Sequence, residues 1–304
     1  MTVSAPFAFH PSKLLRLMQL ALFTALAMLA FAANSLLNRA GVEHGGIGPM
    51  EFALVRVAGG ALVLAALVAT RGGRLPLWQR GRVLGAISLA AYMIGFSGAY
   101  LALDAGLGAL ILFGVVQVSM FAWASLRGAL PKGRQLAGAA LAFGGLAWLL
   151  WPGGAAPVDA PSAALMVIAG VGWAAYTLSG RTSPDPLGAT AANFLLCLPL
   201  TGLAVLAFGA GNWALPGVLL AVISGGLTSG LGYALWYAVL PRIEAGTAAV
   251  VQLSVPVIAL ATGALLLGES LGPRLLLAGA IVLAGIALAL TESRAPTDRS
   301  QTRD

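Results

Sequence analysis

From Pro186 to Pro241 the chain carries no Asp, Glu, Lys or Arg. Two soluble helices of that length would need polar residues on their outer faces, whereas hydrocarbon needs none. The stretch therefore reads as a double passage through a bilayer. The rest of the sequence agrees: of 304 residues 59% are apolar or aromatic and 9% are charged, against roughly 25% charged in an average soluble domain. A mean hydropathy of +0.92 excludes a disordered chain, and the scarcity of charge excludes a coiled coil.

Cutting the sequence at charges, prolines and turn clusters leaves ten apolar spans: 14–37, 50–69, 83–103, 106–125, 136–151, 160–179, 190–208, 215–239, 245–267 and 275–290. Each approaches the roughly 20 residues that a helix needs to cross a bilayer. The expected fold is an all-α integral membrane protein with ten transmembrane helices. Lys13 and Arg16 before a run containing Ala30-Phe31-Ala32 look like a signal peptide and its cleavage site, but the run exceeds the 7 to 15 residues of a signal core. It is expected to be retained as the first span.

The net charge of +7 sits in loops and not along a stripe, so it sets orientation and does not point to nucleic acid. Taking the N-terminus as cytoplasmic, fourteen of the 17 Lys and Arg fall on that side: Lys13, Arg16, Arg71, Arg74, Arg80, Arg82, Arg127, Lys132, Arg134, Arg181, Arg242, Arg294, Arg299 and Arg303. Only Arg39 and Arg274 fall on the other, and Arg56 lies inside a span. Translocating basic loops is disfavoured, so the expectation is a multi-pass protein of the cell inner membrane with both termini cytoplasmic. The single cysteine, Cys197, and the two histidines, His10 and His44, offer neither an internal disulfide nor a metal cage. No metal and no other cofactor is expected.

Compared at a spacing of roughly 140 residues, the two halves repeat one another in order. Phe31-Ala32-Ala33-Asn34-Ser35-Leu36, with Arg39 three residues on, matches Trp173-Ala174-Ala175-Tyr176-Thr177-Leu178 with Arg181. Phe52, Gly60, Leu62 and Leu64 match Phe194, Gly202, Ala204 and Leu206. Val116-Gln117-Val118-Ser119 parallels Val251-Gln252-Leu253-Ser254, and Leu136-Ala137-Gly138-Ala139 recurs as Leu277-Ala278-Gly279-Ala280. Five spans per half is an odd number, so the halves are expected to be two inverted five-helix repeats. The division is a tail at 1–13, a first repeat at 14–151, a second at 160–290 and a tail at 291–304. Inverted repeats are a recurrent plan of secondary transporters, with substrate held near the midplane between them.

Unpaired polar side chains are costly in lipid and belong at the bundle interior or a wet cavity. The fifth and tenth spans carry almost none, and the second and seventh few. The census therefore expects a cavity lined by spans 1, 3, 4, 6, 8 and 9, with 2, 5, 7 and 10 outside. Candidate substrate contacts are Asn34, Gln117 and Gln252 as amides, Tyr92, Trp173, Tyr176 and Tyr233 as an aromatic surface, and Ser254. Pro256, in the middle of the ninth span, removes a backbone hydrogen bond beside Gln252 and Ser254 and is a candidate kink. Arg56 lies about 10 Å past Pro49 at a rise of 1.5 Å per residue. It is a candidate gate, or a structural charge tied to carbonyls or to an acid such as Glu51 or Asp104. Trp78, Trp123, Trp151 and Trp213 sit near span ends as headgroup anchors.

The ten-span plan, the basic inner loops, Pro49 followed by Arg56, Ala245-Gly246-Thr247-Ala248 leading into Pro256, and Leu267-Gly268-Glu269 resemble the EamA-type transporters of the drug/metabolite transporter superfamily. Within that family the chain looks similar to the YddG-like exporters of aromatic and other neutral amino acids. The first half departs from the pattern at Gln117 and at Arg127-Gly128. The resemblance implies a central cavity, a small-molecule substrate and no enzymatic activity. Glu269, which resembles the family's glutamate, is expected to pair with Arg274 or cap the following helix.

The expected function is export of small neutral metabolites, most of all neutral amino acids, by alternating access as an uncoupled facilitator working as a monomer. A proton-coupled multidrug or cation exporter is the alternative, but it needs a carboxylate at depth that the first and sixth spans lack. A non-transporting receptor is a remote third. Catalysis would need a titratable pair within reach of substrate, and no histidine and almost no acid lies at depth.

Overall fold

The computed structural model describes residues 11–128, 133–151, 158–180, 183–243 and 251–290. Apart from one isolated bridge between Ile47 and Trp213, the regular structure among these residues is helical. Helix α1 spans Pro11–Arg39 and widens into a π turn at Ala40–His44. It is followed by α2 (Pro49–Thr70), α3 (Arg82–Ala99), α4 (Ala105–Leu126), α5 (Gly133–Leu150), α6 (Ala160–Gly180) and α7 (Pro186–Phe208). Helix α8 has three parts: an α-helical start at Leu215–Ile223, a π segment at Ser224–Leu231 and an α-helical end at Gly232–Val239. It is closed by a short turn at Leu240–Arg242. Helices α9 (Ser254–Leu267) and α10 (Pro273–Leu290) complete the described chain.

Helix starts follow local chemistry. Pro49 and Pro186 occupy first-turn positions, where no N–H is needed and φ is already helical. Before α7 the Asp185 carboxylate accepts the Gly188 N–H at 3.0 Å. Among the described residues seven helical stretches are long and apolar enough to cross a membrane; α5, α9 and α10 are the shorter or less apolar remainder.

Pro256 falls in the first turn of α9 and not mid-helix, because a turn at Leu253 separates Ser254 from the helical residues before it. Proline has no N–H for the carbonyl four residues back, so the helix is interrupted there. The opening of the expected ninth span, including Ala245-Gly246-Thr247-Ala248, lies outside the described residues, as do Lys132, Arg181 and both tails beyond 11–290.

The largely apolar interior also holds polar side chains, while the rim carries large apolar ones. Asn34, Asn38, Glu51, Arg56, Ser97, Thr190, Ser224 and Ser229 are buried, while Leu15, Met18, Leu62, Leu203, Leu206 and Phe208 face outward. That distribution suits hydrocarbon as solvent. Trp78, Trp123, Trp151 and Trp213 are all exposed near helix ends, where an indole meets the headgroup region.

Helix α2 packs on α7 and on the π segment of α8, α3 on α6 and α7, and α1 on α8 and α9. Helix α4 packs on α6 and α9, and α5 on α10. Two of these contacts are backbone to backbone. A Cβ on Gly225 would strike the carbonyl of Arg56, and a Cβ on Gly138 would come within 2.5 Å of the Gly285 carbonyl. Glycine at these positions therefore sets how closely α8 approaches α2 and α10 approaches α5.

Candidate functional site

A cavity of about 750 Å³ opens at one end of the bundle. Its walls come from the C-terminal half of α4 (Gln117, Phe121), the N-terminal half of α5 (Gly138, Ala142), the end of α6 (Trp173, Thr177), the end of α8 (Tyr233, Trp236, Tyr237) and the end of α10 (Ile286, Ala289), with Gln252 beside them. Exposed Pro184 and Pro241 stand at the mouth. This is the end that carries Arg71, Arg74, Arg80, Arg82, Arg127, Arg134 and Arg242, yet among the described residues none that lines the cavity is Asp, Glu, Lys or Arg. Its polar groups are amides, hydroxyls and indoles.

Below the cavity lies a second void of about 10 Å³, walled by Phe31, Asn34, Ser35, Tyr92, Phe96, Leu112, Phe113, Trp173 and Tyr233. That is room for about one water molecule. Trp173 and Tyr233 line both spaces and form the septum between them. Around the septum the rings pack closely: Trp173 stacks on Tyr176 at 5.6 Å and 30° and lies 4.9 Å from Tyr92 and 5.3 Å from Tyr233. Phe31 meets Trp173, Tyr233 and Trp236 edge-on.

Behind this floor sits Arg56, with 0% exposure. Its Nε donates to Ser229 Oγ at 3.0 Å and its Nη2 to Tyr92 Oη at 3.0 Å. Its guanidinium lies over the rings of Phe96 at 4.9 Å and Tyr92 at 5.4 Å. Neither Glu51 nor Asp104 is its partner, contrary to the expectation: Glu51 accepts the Gly211 N–H at 2.7 Å and Asp104 lies 3.6 Å from Arg39. Hydroxyls and ring faces take the place of an acid, a polar cradle that a buried cation requires.

The opposite end is shut by polar contacts. Arg39 Nη1 donates to the carbonyls of Tyr100 at 3.0 Å and Leu101 at 3.2 Å, and Nη2 reaches Glu43 at 2.7 Å. Glu269 accepts the Ala105 N–H at 2.7 Å and the Gly106 N–H at 3.5 Å. It thus caps α4, not the following helix, and does not pair with Arg274. The N-cap Asp104 makes no side-chain capping bond, so the positive end of α4 is free for Glu269. Arg274 instead donates to the carbonyls of Trp148 at 2.5 Å and Trp151 at 2.6 Å. Burial raises the carboxyl of Asp104 above its usual value, with Arg39 opposing and Glu43 adding. Burial likewise raises Glu269, against the Ala105 N–H and with the help of Asp104.

Residues 160–291 match the EamA-like transporter family. A Pseudomonas aeruginosa protein described as uncharacterized is 50% identical over 272 residues, spanning 88% of this chain and 93% of that protein. The chain belongs to the EamA-like transporter family. One protein of known crystal structure shares the fold, with a TM-score of 0.65 at 21% identity over 89% of this chain and 97% of that one. Membership makes it a multi-pass membrane transporter of the drug/metabolite transporter superfamily.

In this EamA-like protein the expected site residues divide into three groups. Gln117, Trp173, Tyr233 and Gln252 line the cavity, and Asn34 and Tyr92 line the small void with Trp173 and Tyr233. Tyr176 and Ser254 line neither: the Tyr176 hydroxyl donates to Thr190 Oγ1 at 3.2 Å and Ser254 Oγ to the Val251 carbonyl at 2.7 Å. Asn34 is occupied by α8, its Oδ1 accepting from Ser224 at 2.8 Å, Thr228 at 2.6 Å and Ser229 at 3.3 Å.

The census of lining helices is corrected in two ways. Helices α5 and α10 form a cavity wall in which alanine, glycine and isoleucine predominate, with Gln135 of α5, just before the expected fifth span, adding an amide. Helices α1 and α3 reach only the inner void. Trp236, Tyr237 and Gln135 also line the cavity and were missed; the clustered aromatics one turn before Pro241 were the available signal.

Proposed function

We propose that the protein exports small neutral metabolites, chiefly aromatic and other neutral amino acids, by alternating access without ion coupling. The observation that carries this reading is a cavity of about 750 Å³ with no Asp, Glu, Lys or Arg among its described lining residues, floored by Trp173 and Tyr233. Its size falls within the roughly 300–1,000 Å³ of small-molecule sites, whose lining is apolar and aromatic with a few polar groups. A zwitterion suits such a site, with its ring against the indole and its polar end among amides and hydroxyls.

The alternating part of the reading takes the chain as ten membrane crossings in two inverted repeats. If α1 to α5 correspond to α6 to α10, the most extensive helix contacts exchange in pairs. The α3–α6 contact exchanges with α8–α1, α4–α6 with α9–α1 and α2–α8 with α7–α3, while α2–α7, α4–α9 and α5–α10 exchange with themselves. Two such halves interconvert between open states of similar energy. Under the positive-inside rule the arginine-rich end is cytoplasmic, so the cavity opens inward and the Arg39 and Glu269 contacts form the outer seal. The membrane is then the inner membrane.

The test is uptake into proteoliposomes at equal internal and external pH, with labelled phenylalanine, tryptophan, threonine, methionine, glutamate, lysine and a quaternary ammonium dye. Saturable entry of the neutral amino acids supports the facilitator. Movement of the dye alone, and only with a proton gradient, overturns it and makes the protein a coupled cation exporter.

A further inference from the structure

The floor of the cavity is rich in hydrogen-bond donors and has no acid. Arg56 is fully buried, and among the described residues no carboxylate lies within ion-pair distance of it; the ion pairs present involve Arg39 and His44. Among the described residues its Nη1 has no hydrogen-bond partner, and the buried Tyr233 hydroxyl has no neighbour to bond except the Tyr92 hydroxyl. The Tyr92 hydroxyl accepts from Arg56 Nη2, which leaves its own proton to give. Ser229, the other hydroxyl on Arg56, is directed onward to Asn34.

A guanidinium held in a low-dielectric interior with an unused N–H is costly, and a residual donor of that kind persists where something else completes it. Intramembrane charge is rarely kept for packing alone. Here the charge backs the two rings, Tyr92 and Phe96, that wall the small void. The π segment that supplies Ser229 is itself an irregularity of the sort that recurs at functional sites.

We propose that Arg56, Tyr92 and Tyr233 form a carboxylate subsite, which receives the carboxylate of the substrate while its side chain lies in the cavity beyond Trp173. The proposal rests on the transport reading above and adds to it which end of the substrate is recognised, and by what. A single positive charge matches a single carboxylate, and the planar guanidinium fork matches its two oxygens. The void, now the size of a water molecule, is the collapsed form of the subsite, and the Trp173–Tyr233 septum parts to fill it. The cavity itself needs no charge, because the charge lies one layer behind its floor.

The experiment compares four probes of one ring size in proteoliposomes of the full-length protein: phenylalanine, phenylpropionate, phenylalanine amide and phenethylamine. Each is measured as half-saturation for inhibiting or driving exchange at clamped pH. Wild type is expected to favour the two acids over the amide and the amine by about 10- to 100-fold, the worth of one hydrogen-bonded charge. Arg56→Gln should erase that preference and Arg56→Lys should keep part of it. If Arg56→Gln does not fold, Tyr92→Phe and Tyr233→Phe each remove a hydroxyl with little change of volume and should cut the acid-to-amide ratio several-fold.

Phenylpropionate handled without phenylalanine would overturn the amino acid reading and leave the subsite standing. Amide and amine handled as well as the acids, no handling of either acid, or an acid-to-amide ratio unchanged in all the variants would overturn the subsite.

Discussion

Trp173→Ala separates the aromatic floor's role in substrate choice from its role in packing. The indole contacts four rings, those of Tyr176, Tyr92, Tyr233 and Phe31, at centroid distances of 5.6, 4.9, 5.3 and 6.3 Å. Removing it costs the protein about 3–5 kcal/mol of stability, the range for large aromatic truncations in packed surroundings. That loss is common to every substrate and cancels from a ratio. What does not cancel is the stacking pair between the indole and a substrate ring, worth about 0.5–1.5 kcal/mol, or roughly 2- to 12-fold. The kcat/KM for phenylalanine should therefore fall by that factor more than the value for threonine, and Trp173→Phe should restore most of the difference. Proteoliposome uptake of the two labelled amino acids, normalised to reconstituted protein, measures it. Equal losses for phenylalanine and threonine would refute the stacking argument, whatever the absolute rates.

Gly225→Ala should lower the thermal midpoint in detergent by an amount equivalent to about 1–3 kcal/mol of overpacking, because the new methyl meets the backbone of Arg56. Gly202→Ala, with nothing within 4 Å, should leave the midpoint unchanged or raise it slightly. Arg39→Gln should loosen the seal and raise the labelling of a Leu103→Cys reporter, now 1% exposed, by a membrane-impermeant maleimide. Loss of hydrogen bonds from a charged donor, about 1.5–3 kcal/mol, sets the expected increase at roughly 10- to 100-fold. Asp104 and Glu269 both have raised carboxyl pKa values, so the seal is most stable with them protonated. That stability is complete below the ordinary carboxylate range and is lost as pH rises through the raised values. Labelling of the same reporter should accordingly fall on acidification toward that range, and Glu269→Gln should flatten the pH profile.

Much of the fold was legible because membrane burial writes long apolar runs directly into sequence. The starts of α2 and α8 lie within a residue of the expected spans, at Pro49 and beside Pro216, whereas α7 begins at Pro186, four residues before the expected 190. The π segment of α8 was not legible: Ser-Gly-Gly-Leu-Thr-Ser-Gly-Leu reads as an ordinary helix until its glycines are pressed against α2. The site was legible where polarity marks it, at Gln117, Trp173, Tyr233 and Gln252. It was not legible at α10 or along the alanine and glycine face of α5, because a census of polar groups is blind to an apolar wall, and Gln135 falls just before the expected fifth span. Arg56 stood out as a charge, but its partners Tyr92 and Ser229 lie 36 and 173 residues away, and only the helix packing brings them together. Glu269 was assigned to the nearest helix in sequence, whereas the vacant N-terminus that it caps belongs to α4, 164 residues away.

The central claim is a single cavity that alternates between the two sides without ion coupling. Trans-stimulation tests it most directly: proteoliposomes loaded with labelled phenylalanine, pH clamped by an ionophore, with unlabelled phenylalanine or buffer outside. The account predicts saturable efflux that external phenylalanine accelerates, as expected when a loaded carrier reorients faster than an empty one. Efflux that needs a proton gradient, or no phenylalanine movement at all, would contradict it.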